Sequence, residues 1–201
     1  PVRAGPDFIG DPTMHAPSTI RLLILCCAAS ALACGAAERN LQLVDPPMLG
    51  HRAARNEVVV FSDFQCPFCA RTAEELNRLH AALPNRFNVY FKHFPLPQHP
   101  AARMAAQAAE AARLQGRFRE MHDLLFRHGS RLDESLIVAC AEKLQLDMAR
   151  FRRDLDSPAV AQKVAADVAE GERLGVNGTP YLFINRQPFL GSFADLRRVL
   201  R

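Results

Sequence analysis

The run Phe61-Ser62-Asp63-Phe64-Gln65-Cys66-Pro67-Phe68-Cys69 constrains this chain more than any other stretch, because β-forming residues end in a Cys-x-x-Cys that passes straight into a helix-forming segment. With Cys66 at the first turn of that helix, Cys69 stands three residues on and on the same face, so the two sulfurs come within disulfide reach. A bond at that spacing opens and closes with little backbone movement. A thiolate at Cys66 also faces the unpaired amides and positive dipole end of the helix, which stabilise the anion. Cys66 is therefore the expected nucleophile and Cys69 its partner. The expected redox group is the Cys66-Cys69 disulfide itself, with no bound cofactor and no metal.

Other chemistries for the pair are weaker. A structural zinc site needs four ligands, and a second Cys pair is absent; Cys140 with His93 or His99 would have to converge by folding. A c-type haem needs histidine directly after the second cysteine, where Ala70 stands. Of the six cysteines, Cys26, Cys27 and Cys34 lie in an apolar N-terminal stretch, so the body holds three and is no disulfide scaffold. Cys140, flanked by Val138-Ala139 and Ala141, reads as a small buried apolar residue. His93, His99 and His122 read as a cap, a loop residue or half-buried helix residues before they read as catalytic. The net charge of +4 is spread among acidic residues along the helical segments, which argues against nucleic acid as a partner.

The first 13 residues lack apolar periodicity and are expected to be upstream translation ahead of Met14. From Met14 a short segment with Arg21, the apolar run Leu22 to Ala33 and the small residues around Cys34 have the layout of a secretory signal, so 1–34 is read as a leader. The run is shorter than the roughly 20 apolar residues that span a bilayer. Cys34 stands where a lipoprotein would be processed, although Ala31 replaces the usual larger aliphatic residue; lipid anchoring at Cys34 and simple cleavage both stay open. Residues 35–55, with Pro46, Pro47 and Gly50, read as a linker, and the folded body is expected over 56–201.

Within 201 residues there is room for one domain, or one domain with an insertion. Val58-Val59-Val60-Phe61 is a continuous β-branched and aromatic run, as in a central strand covered on both faces. Pro67 to Leu83 reads as a helix and Arg86 to His93 as an alternating strand, which together make a βαβ unit with parallel strands. About 99–174 then reads as four or five helices, with Pro100 suited to a first helical position and Ser157-Pro158 opening the last helix. The chain closes with strands at Tyr181 to Ile184 and Gln187 to Leu190, joined at Asn185-Arg186, and a helix from Ser192 to Leu200. The pattern is α/β: a thioredoxin-like fold with an all-helical insertion between βαβ and ββα halves.

Taken in order, FSDFQCPFC, KHFPLPQHPAARMAAQAAEAA, GRFREMHDLLF and GVNGTPYLFIN resemble the DsbA-like thiol-disulfide oxidoreductases from about Asn56 to the C-terminus. The resemblance implies an exported bacterial enzyme, periplasmic or in the cell envelope, whose insertion partly covers the active site. It implies a nucleophilic Cys66, Pro67 and Phe68 shaping the site between the cysteines, and a cis Thr179-Pro180 peptide against the pair. It further implies exported protein thiols as substrates and a membrane redox partner that reoxidises the pair; a monomer is expected. Dithiol oxidation is the favoured direction. The alternatives are a reductase or isomerase of the same fold, or a membrane-tethered holdase with incidental cysteines.

Two positions depart from the family pattern. Many relatives carry an acidic residue six positions before the first cysteine, where Val60 stands here; Asp63 or water is the expected substitute in moving protons at Cys69, with a strand-end cap as the alternative role for Asp63. Several oxidising relatives carry histidine before the second cysteine, where Phe68 adds neither charge nor a donor. A less stabilised Cys66 thiolate and a less oxidising disulfide follow.

Overall fold

The computed structural model describes residues 41–200 apart from 44, 46, 47 and 51–53. The expected leader over 1–34, with Cys34, and most of the expected linker lie outside the described residues.

A mixed four-stranded sheet in the order β2-β1-β3-β4 forms the centre. β1 (Asn56–Ser62) runs parallel to β2 (Phe87–His93) and antiparallel to β3 (Tyr181–Ile184), which pairs antiparallel with β4 (Gln187–Phe189). Val58, Val59, Val60 and Phe61 of β1 are all buried, as their unbroken apolar run requires. At about 1.5–3 kcal/mol per buried side chain, this strand is a principal source of cohesion. Asn185 and Arg186 turn β3 into β4 with positive φ values of 49° and 67°, a two-residue connection that matches the twist of the strands it joins.

α1 (Pro67–Ala82) crosses from β1 to β2, and five helices follow before β3: α2 (Ala102–Arg113), α3 (Phe118–His128), α4 (Glu134–Lys143), α5 (Met148–Leu155) and α6 (Pro158–Arg173). α7 (Phe193–Val199) closes the chain. Local chemistry sets several starts. Asp133, Asp147 and Ser157 accept from the amides of Leu136, Arg150 and Val160, while Ser192 and Asp195 form a reciprocal capping box; such caps contribute about 1 kcal/mol each.

The cores lie on the two sides of the sheet. Val58 and Val60 join Leu76, Phe91, Met121, Leu125, Phe151 and Leu196, whereas Val59 and Phe61 join Tyr90, Phe94, Val176 and Phe183. Leu41 is buried in the second cluster, and Leu49 bridges to Val89, so the packed body reaches toward the N-terminus beyond the expected start near Asn56. Pro100 is not at the first position of α2, as expected, but in the turn before it, with Ala102 beginning the helix. The 3-10 turn Gly129–Arg131 was likewise not foreseen.

Candidate active site

β1 ends at Ser62, and a tight turn delivers the cysteines. Asp63 Oδ1 accepts from the Gln65 amide at 2.7 Å, and the Cys66 amide donates to the Asp63 carbonyl at 3.1 Å. Cys66 thereby occupies the N-cap of α1 rather than its first turn, and Pro67, which has no amide to leave unpaired, begins the helix. The Cys66 side chain makes no capping hydrogen bond at this terminus. The amides of Cys69 and Ala70 both donate to the Cys66 carbonyl, bringing Cys69 back over Cys66. The two cysteines approach to 3.6 Å and both are free. Small rotations of the side chains suffice to close a disulfide.

The environments of the two thiols differ. Cys69 is 1% exposed, and burial pushes its thiol up to about 12; the Ser62 hydroxyl and the Asp63 amide, 3.4 Å away, offset only part of that, and Cys66 adds to it. Cys66 lies against the cis Thr179-Pro180 peptide, its Sγ donating to the Thr179 carbonyl at 3.5 Å. Phe68, between them in sequence, points outward at 60% exposure with the Arg71 guanidinium 4.7 Å from its ring centre. Phe68, Arg71, Pro180, Leu182, Phe189 and Phe193 line a groove of about 510 Å³ beside the pair. The mostly apolar groove walls suit an extended peptide bearing a nonpolar side chain next to its thiol.

Of the two roles expected for Asp63, proton carrier at Cys69 or strand-end cap, its contacts are those of a cap. Its carboxylate is 0% exposed and fully occupied, Oδ1 by the Gln65 amide and Oδ2 by the Leu96 amide at 2.8 Å and His99 Nδ1 at 2.7 Å. Its backbone amide, not the carboxylate, is what touches Cys69. Asp63 is the clasp between the active-site turn and the loop after β2. His93 and His122 are not the cap, loop or half-buried helix residues expected: His93 is a buried strand residue 2.8 Å from Glu110, and His122 is fully buried on α3. Cys140 is buried in α4, where burial raises its thiol, apart from the site.

Gln65 was missed. Its Oε1 accepts from the Ala101 amide at 2.7 Å and its Nε2 donates to the Leu132 carbonyl at 3.4 Å, so one side chain caps α2 and ties the cysteine turn to the helical insertion. Its adjacency to Cys66 was the only available signal. Among the described residues no group of three or more His, Cys, Asp or Glu side chains is placed to hold a metal.

A family model described as DSBA-like thioredoxin domain matches residues 57–196. The chain is 39% identical over 154 residues to the Na(+)/H(+) antiporter NhaA 1 of Salinispora arenicola, a stretch covering 75% of this chain and 24% of that protein. It thus spans about a quarter of the length of the curated relatives it matches. Among solved structures, the thiol-disulfide exchange protein alpha-DsbA2 of Wolbachia pipientis superposes with a TM-score of 0.71 at 20% identity, covering 82% of this chain and 89% of that one. A thioredoxin-like oxidoreductase from Silicibacter pomeroyi gives 0.66 at 27% identity, covering 76% and 88%.

Proposed function

The chain belongs to the DSBA-like thioredoxin domain family, and from that premise we propose that it is a thiol-disulfide oxidoreductase working as a dithiol oxidase through Cys66 and Cys69. The observation that carries the reading is the pair itself, 3.6 Å apart at a helix N-terminus, with Cys66 against Thr179 and Cys69 shut away. A client thiolate attacks Cys66 of the Cys66-Cys69 disulfide, and Cys69 leaves with the bonding electrons. A second client thiolate then attacks the client sulfur of the mixed disulfide, the client becomes oxidised, and both cysteines end reduced. The helix terminus favours the Cys66 thiolate, which makes Cys66 a good leaving group in this last step.

The client lies along the Thr179 backbone as an added strand, with Phe68, Pro180 and Phe189 beneath its apolar side chains. Clients are exported protein thiols, and a membrane redox partner returns the pair to the disulfide; the setting is the periplasm or cell envelope. The relatives named Na(+)/H(+) antiporters support an envelope setting, but the match covers only about a quarter of each, so their transport activity is not carried over.

The reading is tested with two variants and one potential. Cys66→Ser abolishes oxidation of a reduced client, and Cys69→Ser accumulates client mixed disulfides visible on non-reducing gels. Equilibration with glutathione gives a reduction potential well above the roughly −270 mV of thioredoxin. A value near that of thioredoxin would establish a reductase, and client protection that survives Cys66→Ser would establish a holdase.

A further inference from the structure

Cys69 must shed a proton each time it attacks and recover one each time it leaves, and it is the more deeply buried thiol. Val60 supplies no carboxylate, and the Asp63 carboxylate is occupied elsewhere. Behind Cys69, however, lies an interior cavity of about 10 Å³ whose lining includes Val60, Ser62, Cys69, Phe91, His122 and Phe126. That is close to the smallest space that holds one water, and Ser62, Cys69 and His122 supply its polar walls. His122 is 1% exposed and ringed edge-on by Phe64, Phe91 and Phe126. Its Nδ1 lies 2.9 Å from Asp123 Oδ1, a pairing that places the proton on Nδ1 and leaves the lone pair on Nε2. Asp123 is 37% exposed and lines an outer groove of about 280 Å³ between α1 and α3; Ala73 and Phe126 line both spaces.

We infer that His122, oriented by Asp123, is the positioning base that takes the Cys69 proton across this cavity and returns it. The inference rests on the reading of Cys66 and Cys69 as an exchanging pair. When Cys69 attacks the Cys66 sulfur of a mixed disulfide, the Cys66-Cys69 bond forms, the client-Cys66 bond breaks, and the client departs as thiolate. The Cys69 proton passes to His122 Nε2, directly or through one water. In the oxidising direction Cys69 leaves as a thiolate, and a proton taken up transiently at Nε2 is handed on to it. Groups facing His122 are Asp123 and Arg119 on its own helix, His93 from β2 with Glu110 beyond it, and Cys69 from α1 with Cys66 beyond it. Burial holds the imidazole below its ordinary range although Asp123 opposes the shift, which keeps it in the neutral form that can accept a proton.

The test loads the full chain with thionitrobenzoate on Cys66 and follows release of the coloured thiol by stopped flow from pH 5 to 9. His122→Gln is expected to slow release about 100-fold and erase the acid limb of the profile, while Cys66 alkylation by iodoacetamide keeps its wild-type rate. Asp123→Asn, at a half-exposed position that leaves the core intact, slows release less and displaces that limb. Adding Val60→Glu to His122→Gln restores part of the rate by placing a carboxylate on the same cavity. Wild-type release in both single variants, or alkylation falling in proportion to release, overturns the inference. Should wild-type protein itself release nothing, the exchange reading fails first.

Discussion

At the scale of single residues, the redox character of the pair turns on Phe68. The exposed ring carries Arg71 above it and adds no charge beside the cysteines. Replacing it with histidine has two effects of different kinds. Losing the ring costs a cation-π contact of about 0.5–1 kcal/mol, which acts on oxidised and reduced forms alike and leaves the potential where it was. Gaining an imidazole favours a thiolate, which exists only in the reduced form. Phe68→His is therefore expected to raise the reduction potential by on the order of 30 mV, equivalent to about 1.4 kcal/mol of preference for the reduced state. Glutathione equilibration followed by alkylation and mass measurement checks it, and a more reducing variant would contradict the argument.

At the scale of elements, α6 sits on the sheet at a distance that one glycine sets. A methyl group on Gly171 would stand 2.8 Å from the Phe94 ring and 3.0 Å from Phe61, closer than real contacts allow, and both rings are buried. Gly171→Ala gains helix propensity worth up to about 1 kcal/mol, but overpacking costs about 1–3 kcal/mol, so the variant is expected to lose stability on balance. The midpoint of urea unfolding reads the outcome directly. Gly171 also marks the boundary of what the sequence makes legible. Elements announced by local chemistry, such as Val58–Phe61, Ser157-Pro158 and Asn185-Arg186, were readable because their causes lie within a few residues. The start of α2 was misjudged because its cap, Gln65, lies 36 residues away along the chain. Asp63 stays ambiguous in sequence for the same reason: adjacency to the cysteines suggests chemistry as readily as a cap, while its partners Leu96 and His99 come from another loop. Cys66 and Cys69 were legible as a pair because three residues of spacing and one helix terminus define them. The cavity joining Cys69 to His122 exists only after α1 and α3 pack.

At the scale of the whole molecule, a network of charges joins the segment before β1, β2, α2 and α6. Asp45 pairs with Arg113 at 2.7 Å and Lys163 at 3.0 Å; Lys163 reaches Asp167, which meets Lys92, which meets Glu170 at 2.9 Å. Glu110 closes the set, bound to Arg113 and to His93 Nε2. Burial alone would raise the Glu110 carboxyl, but the His93 hydrogen bond and the charges of His93, Arg113 and Lys163 outweigh it and hold the group at about 2 against an ordinary 4.5. The folded state thus binds this proton more weakly than the unfolded chain. The corresponding stabilisation is present in full above about pH 4.5 and disappears as pH falls toward 2. At 1.36 kcal/mol per pH unit it amounts to roughly 3 kcal/mol at neutral pH, a large share of a domain's margin. Glu110→Gln removes the carboxylate, leaving buried His93 without its anion and half-buried Arg113 with Asp45 alone, so its cost follows the same curve. The stability gap between wild type and variant, measured by urea unfolding at a series of pH values, is expected to be widest above pH 5 and to narrow steadily below pH 4. A gap independent of pH would mean that Glu110 contributes shape and packing to the junction of α2 with β2, and that its charge is balanced without net gain.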